Sequence, residues 1–380
     1  MEKKKIYRLK HIAFGSNAVR LSLRELAVVL VAVLTLMLFV LPLAWRKLEK
    51  VKTGRDFRIA YDYRDDYWVF RQWVDDAVKS YPAVFIGDSV IWGMYVDNSH
   101  TLSALLNRKL HSETVANLAI DGLHSVAQEG LLRYYASSIR DKDVILHFNP
   151  LWLNSKKYDL STTEEMNIHH PRLIPQFSPS LHCYNEKISG RMSVLLERNI
   201  PFYSMLNHLR LNYFNNEELA AWVIANPRKN PLRQLSLQVD PGEKKHVNNH
   251  DDWQKRGITA QDWKWVPLNE SRQWHAFLNV VDMLRERHNR VMVMVGPINP
   301  YMLTPDSLAG LRRLQNDIKT QLAERKLSYF MVPDLPSGDY ADASHPLADG
   351  YARIAAALAA QPFWKKSPVT PEIVQHQAEK

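Results

Sequence analysis

Three residue types that together carry out nucleophilic catalysis occur at two distant places in the chain. Ser89 follows an apolar run in the stretch AVFIGDSVIWGMYV, residues 83–96, and Asp342 and His345 lie in DASHPLADGY near the other end. A serine hydroxyl needs a base within hydrogen-bond reach to act as a nucleophile. A histidine oriented by a carboxylate supplies such a base. We therefore predict a serine nucleophile, provided that the fold brings the two segments together.

Alternating strand and helix patterns provide elements that can bring them together. We predict buried strands at 83–87, 114–120, 143–149, 290–300 and 327–335, with helical patterns between them. Such alternation predicts an α/β fold, with a doubly wound, mostly parallel five-stranded sheet between two layers of helices. Ligands bind beyond the carboxyl ends of the strands in sheets of this kind.

The candidate site residues all follow predicted strands. Ser89 follows the first strand, Gly122 the second and Asn149 the third, while Asp342 and His345 lie between the fifth strand and the last helix. Each also has a structural interpretation. The serine, or the aspartate before it, can cap a helix. The glycine and the asparagine suit turns, and the last two residues suit a surface loop.

Four short segments resemble the sequence blocks of the SGNH (GDSL-type) hydrolase superfamily and occur in the same order. They are GDS at 87–89, NLAIDG at 117–122, HFN at 147–149 and DASHP at 342–346. The resemblance covers residues 81–152 and 290–360. It implies a flavodoxin-like fold and ester chemistry without a metal or another cofactor.

The resemblance also implies a role for each residue. Ser89 would be the nucleophile, His345 the base and Asp342 the acid that orients the base. The oxyanion hole would use the N–H groups of Ser89 and Gly122 and the side-chain amide of Asn149. The third block departs from the family pattern Gly-x-Asn-Asp, because the chain reads His-Phe-Asn-Pro at 147–150. This departure weakens the assignment of Asn149.

The segments GDSVIWGMYV, HFNPLWL and VGPINPYM are similar to those of membrane-anchored, DltD-like SGNH proteins that serve cell-envelope polysaccharide acylation. This resemblance implies an esterase or O-acyltransferase that acts on acyl esters of an envelope glycan or lipid. Two alternatives remain open. One is a non-catalytic SGNH scaffold that partners a membrane-bound O-acyltransferase, and the other is a membrane-held lipase or thioesterase.

An uncharged run of twenty residues at 26–45 has the length needed to cross a bilayer core. We predict an uncleaved anchor with the body on the extracytoplasmic side, since no small-x-small cleavage site follows the run. The alternative is a cleaved signal peptide. The expected division of the chain is a cytoplasmic basic tail at 1–25, the anchor at 26–45, a linker and leading helix at 46–80, an SGNH-like domain at 81–365 with an insertion at 152–268, and a tail at 366–380.

Composition excludes some other classes of function. The net charge of the 380 residues is +9, but thirteen basic residues flank the anchor, so the excess suits a membrane surface more than a nucleic acid. The single cysteine, Cys183, excludes an intrachain disulfide and a multi-cysteine zinc site. His169 and His170 are adjacent and lack the spacing of a metal site. Trp263, Trp265 and Trp274 are candidates for stacking on sugars, or for the core.

Overall fold

The computed structural model describes residues 22–242 and 250–366. The predicted tails at 1–25 and 366–380 fall almost wholly outside these residues. The strands, in chain order, are β1 Lys50–Val51, β2 Ala83–Ile86, β3 Val115–Asn117, β4 Asp143–Phe148, β5 Gln238–Val239, β6 Arg290–Val295 and β7 Ser328–Met331.

The helices alternate with the strands as the sequence predicts, with three exceptions. Two helices precede β1, two lie between β2 and β3, and three follow one another in the insertion. They are α1 Leu23–Thr35, α2 Leu41–Leu48, α3 Tyr67–Ser80, α4 Ser89–Trp92, α5 Leu102–Leu110, α6 Ser125–Tyr134, α7 Ile188–Asn199, α8 Pro201–Tyr213, α9 Leu219–Ala225, α10 Arg272–Glu286, α11 Pro305–Glu324 and α12 Ala348–Ala359.

Five strands form one sheet in the order β3-β2-β4-β6-β7, and every neighbouring pair is parallel. Counted along the chain, these strands stand in the order 2-1-3-4-5, which is the flavodoxin-like order of a doubly wound sheet. The chain passes from β2 to β3 on one side and then returns to β4 on the other side of β2. The direction in which strands are added therefore reverses between β2 and β4. The carboxyl ends of these two strands flank a crevice where such sheets bind ligands.

Helices cover both faces of this sheet. Alternate strand residues point to opposite faces, so Val84 and Val144 pack with α3, α6 and α10, while Phe85 and Ile145 pack with α5 and α12. The prediction of an α/β fold with a parallel five-stranded sheet is confirmed. The strand predicted at 114–120 is only three residues long, Val115–Asn117, although Leu118 and Ile120 still donate to the carbonyls of Phe85 and Gly87 and the chain turns at 121–122.

One long N-terminal helix precedes this body. It runs from Leu23 to Leu48 through α1, a π-helical stretch at Leu36–Val40 and α2, and it is long and apolar enough to cross a membrane. At 1.5 Å per residue its 26 residues extend about 39 Å, more than the hydrocarbon core requires. The predicted anchor at 26–45 lies within this helix.

The insertion predicted at 152–268 contains α7, α8, α9 and long loops. It returns to the base of the long helix, because β5 near its end pairs in parallel with β1. Helix α8 packs against both the π-helical stretch and α2. The insertion therefore joins the long helix to the body.

Candidate active site

Strand β2 delivers Ser89 to the crevice through a turn that only glycine fits. A Cβ on Gly87 would lie 2.5 Å from Cγ1 of Ile91 and 2.9 Å from Cβ of His147. Asp88 then caps α4 by accepting a hydrogen bond from the N–H of Val90 at 3.0 Å. The cap is thus Asp88 rather than Ser89, and the serine is the first residue of the helix.

The structure brings Ser89, His345 and Asp342 into one hydrogen-bonded line. Nε2 of His345 lies 2.8 Å from Oγ of Ser89. Nδ1 of the same ring lies 2.8 Å from Oδ1 of Asp342 and 3.0 Å from Oδ2. With Nδ1 protonated and facing the carboxylate, Nε2 is left to accept the serine proton. This is the arrangement of a serine nucleophile with its general base.

Backbone donors hold Asp342 ionised beside His345. Oδ1 accepts from the N–H groups of Ser344 at 3.1 Å and His345 at 3.0 Å, and Oδ2 accepts from the hydroxyl of Tyr95 at 3.1 Å. Burial alone would raise the pKa of Asp342. The charge of His345 and the donors outweigh burial, and the pKa lies well below its ordinary value. A permanent negative charge therefore faces the imidazole.

His345 is poised as a stronger base than an ordinary histidine. Burial disfavours its charged form, but Asp342 more than compensates, and Asp88 and Asp121 add to the effect. The pKa of His345 is therefore raised above its ordinary 6.5. The ring of Tyr95 lies edge-on to the imidazole with 5.6 Å between centroids. The ring is thus fixed by the carboxylate on one side and by an aromatic contact on another.

The loop that carries Asp342 and His345 is tied to the end of β6. The N–H of Asn299 donates to the carbonyl of Ala343 at 2.8 Å, and its side-chain amide donates to the carbonyl of Asp342 at 3.2 Å. Sequence reasoning missed both Asn299 and Tyr95. Asn299 lies at the end of the strand predicted at 290–300, four residues beyond the last residue of β6, and this position is a usable signal. Tyr95 has no comparable signal, because its partner lies 247 positions away.

The N–H groups of Ser89 and Gly122 are available as oxyanion donors. Gly122 has φ +72°, a left-handed conformation, in the turn that follows β3. This turn is joined to the end of β2 by a hydrogen bond from the N–H of Ile120 to the carbonyl of Gly87 at 3.2 Å. Within the described part of the chain, neither N–H donates to a protein acceptor. Free donors beside a nucleophile suit a developing oxyanion.

Asn149 has a different contact from the one predicted. Its amide donates to Oδ2 of Asp88 at 2.8 Å and lies 3.4 Å from Oγ of Ser344, and its carbonyl oxygen accepts from the N–H of Leu151. The side chain is 3% exposed. In this geometry Asn149 holds the carboxylate beside the nucleophile and does not present a free donor.

Asp88 is the centre of a buried polar cluster under the nucleophile. Besides Asn149, it accepts from Nε1 of Trp152 at 3.0 Å, and Nδ1 of His147 lies 3.2 Å from Oδ1, poorly aligned for a hydrogen bond. Burial alone would raise the pKa of Asp88, but His147 and the hydrogen-bond donors lower it to about 2. The cluster fixes the turn that carries Ser89.

An open groove of about 620 Å³ lies beside His345 and Asp342. Tyr158 and Trp263 provide aromatic surface, and polar side chains add hydrogen-bonding groups: Asn154, Ser155, Gln261, Asp262 and Lys264. Of the tryptophans singled out in the sequence, only Trp263 lines this groove. Trp274 is 1% exposed and packs in the core, and Trp265 packs against that core.

His169 and His170 lie near the turn of Gly122. A Cβ on Gly122 would lie 3.2 Å from Nδ1 of His169, and Nε2 of His170 lies 2.7 Å from the carbonyl of Asp121. Among the described residues, no group of three or more His, Cys, Asp or Glu side chains is placed to hold a metal ion.

No family model and no curated protein matches this chain.

Proposed function

We propose that the protein is a membrane-anchored, extracytoplasmic serine esterase or O-acyltransferase of the SGNH type, acting on acyl esters of a cell-envelope glycan or lipid. The observation that carries the proposal is the line from Ser89 through His345 to Asp342. It stands at the carboxyl edge of the sheet, beside an open groove and two free backbone donors. A loop with a merely structural role has no need of this alignment.

The geometry supports a two-step acyl transfer. Oγ of Ser89 attacks the ester carbonyl while Nε2 of His345 accepts the hydroxyl proton, and the carbonyl oxygen becomes an oxyanion facing the two backbone N–H groups. As the C–O bond breaks, the leaving alkoxide takes the proton from Nε2 and departs as an alcohol. The acyl group is then esterified to Ser89.

The second step returns the enzyme to its starting state. An acceptor hydroxyl gives its proton to Nε2 of His345 and attacks the acyl carbonyl, and Oγ of Ser89 leaves with that proton. Water as the acceptor yields a free acid, and a sugar hydroxyl yields a new ester. The same residues therefore serve both reactions, and the acceptor admitted by the groove decides between them.

The groove favours an acceptor with both ring surface and hydroxyl groups. Tyr158 and Trp263 offer flat apolar contact, while the surrounding amide, hydroxyl, carboxylate and ammonium groups offer donors and acceptors. A sugar presents both kinds of surface. The apolar N-terminal helix supports a substrate located at the membrane.

The test compares envelope esters in cells with the wild-type protein and cells with Ser89→Ala. Loss of ester from an envelope polysaccharide or lipid in the variant supports the transferase, and accumulation of ester supports the esterase. The variant protein must be present at the wild-type level. Unchanged ester content in every envelope fraction would contradict the proposal and favour a non-catalytic scaffold.

A further inference from the structure

Exposed apolar side chains of the body are concentrated in the helices of the insertion. Outside the long N-terminal helix, eight of the twelve exposed large apolar side chains in the described residues fall between 188 and 232. They are Ile188, Met192, Tyr203, Leu206, Leu219, Val223, Ile224 and Leu232. Exposed apolar side chains concentrated in one part of a protein surface mark an interaction site.

One of these helices, α8, contacts the long N-terminal helix. At one end, Ile200 and Pro201 line a cavity of about 470 Å³ together with Leu38 and Leu43 of the long helix. At the other end, the ring of Tyr213 lies edge-on to Trp45 with 5.9 Å between centroids. Helix α8 also contacts the π-helical stretch Leu36–Val40, so it runs beside the long helix from that stretch to Trp45.

This alignment sets the depth of α8 relative to a bilayer. Arg46 is the first charged residue after the apolar run, and Leu38 lies eight residues before it. At 1.5 Å per residue, Leu38 is about 12 Å further along the helix axis. If the apolar run crosses the membrane, the corner between α7 and α8 lies below the level of the first charge. Apolar side chains at that depth contact lipid rather than water.

Charges near the cavity suit a lipid headgroup. Arg46 lines the cavity and forms an ion pair with Asp75. Arg71 lines it as well, is exposed, and forms no hydrogen bond or ion pair with any described residue. Residues 187–233 contain seven Lys or Arg and three Asp or Glu. A basic segment beside an apolar face is typical of an element that lies in an anionic membrane interface.

We propose that the α7–α8 hairpin, residues 188–213, lies in the headgroup–acyl boundary of the bilayer beside the anchor. A phospholipid acyl chain fills the cavity, and the phosphate of that lipid faces Arg46 and Arg71. The inference rests on the membrane attachment in the proposed function and makes no use of the catalytic residues. In this arrangement the anchor and the α7–α8 hairpin both hold the body against the membrane, so the body cannot rotate freely about the anchor.

The test measures the depth of single spin labels in the full-length protein. Cys183 is replaced (Cys183→Ser), and a cysteine is placed at Met192, Leu206, Leu30 or Lys319 in separate variants. Each is labelled in nanodiscs of phosphatidylcholine and phosphatidylglycerol. Collision with oxygen, which dissolves in lipid, is compared with collision with a water-soluble nickel chelate. Leu30 in the anchor is the lipid control, and Lys319, exposed on α11, is the water control.

The proposal predicts a several-fold higher oxygen-to-nickel ratio at Met192 and Leu206 than at Lys319, approaching the ratio at Leu30. Ratios at Met192 and Leu206 equal to that at Lys319, with Leu30 in lipid, would overturn the inference and leave the anchor intact. The face would then be free for a protein partner. A water-exposed Leu30 would overturn the anchor, and this inference with it.

Discussion

Oγ of Ser89 lies 2.8 Å from Nε2 of His345, although the two residues are 256 positions apart in the chain. The parallel sheet is what brings them together. Ser89 follows β2, and the loop of His345 is tied through Asn299 to the segment that follows β6. The carboxyl ends of parallel strands share one edge, so two distant segments meet there without a direct connection.

The first prediction concerns the division of roles in this line of residues. His345→Ala should remove nearly all turnover of p-nitrophenyl acetate, because among the described residues His345 is the base that hydrogen-bonds to Oγ of Ser89. Asp342→Asn should keep the fold and lose up to about 10⁴-fold through the wrong tautomer. The double variant should be little worse than His345→Ala alone, since residues of one catalytic unit are not additive.

The chain offers a matched control for these variants. Asp97 and His100 have the same Asp-x-x-His spacing, and Nδ1 of His100 lies 2.9 Å from Oδ1 of Asp97 on the surface. His100→Ala should leave turnover unchanged. If His345→Ala and Asp342→Asn also keep near wild-type turnover, residues 342–345 form only a structural loop. The result would then favour the non-catalytic scaffold.

The pH dependence of turnover follows from the pKa of His345. The base must be neutral to accept the serine proton, and its pKa is raised above 6.5 by Asp342 against the opposing effect of burial. kcat/KM for p-nitrophenyl acetate should therefore fall as the pH decreases through a value above 6.5. In Asp342→Asn the acidic limb should move to lower pH. An acidic limb that stays in place in this variant would show that another group controls the profile.

Asn149→Ala separates a structural role from an oxyanion role. Loss of the amide leaves a buried oxygen of Asp88 with one partner fewer, so the free energy of unfolding should fall by about 1–3 kcal/mol. The kcat of the folded variant should also fall, but by less than the roughly 10²–10³-fold expected when an oxyanion donor is removed. Urea unfolding and turnover of the same preparation measure both. Unchanged stability with a loss of that size would restore Asn149 to the oxyanion hole.

The strands and the candidate residues Ser89, Asp342 and His345 could be predicted from the sequence, because they depend on local patterns and on the order of motifs along the chain. Apolar runs fix the strands, and Ser89, Asp342 and His345 follow strand ends. The contacts of Asn149 and Tyr95 depend on side-chain packing between distant segments, which no local pattern encodes. The burial of His208 between Glu49 and Asp66 is of the same kind, since it joins the end of the long N-terminal helix, the start of α3 and the insertion.

His208 gives a prediction about stability and pH. Nδ1 lies 2.8 Å from Oδ2 of Asp66, and Nε2 lies 2.7 Å from Oε1 of Glu49, with all three side chains buried. Burial alone would lower the pKa of His208, but the two carboxylates raise it to about 9 from 6.5. The stabilisation is complete below pH 6.5 and is lost as the pH rises through about 9. Its size is on the order of 3 kcal/mol.

Thermal unfolding of the full-length protein in detergent between pH 6 and pH 10 measures this effect. The wild-type midpoint should fall across the upper part of that range. His208→Gln should have a lower midpoint at pH 6 and a flatter alkaline slope, because glutamine does not titrate. Equal alkaline slopes in the two proteins would show that the imidazolium does not stabilise the junction of the long N-terminal helix and the body.

Labelling with a serine-directed fluorophosphonate probe tests the central claim most directly. The probe phosphonylates a serine oxygen only where a base activates it, and it requires no knowledge of the natural substrate. We expect one probe on Ser89, identified by peptide mass spectrometry, with no labelling in Ser89→Ala and full labelling in Ser99→Ala, which removes an exposed serine beside the Asp97–His100 pair. Labelling that persists in Ser89→Ala would contradict the assignment of Ser89 as the nucleophile.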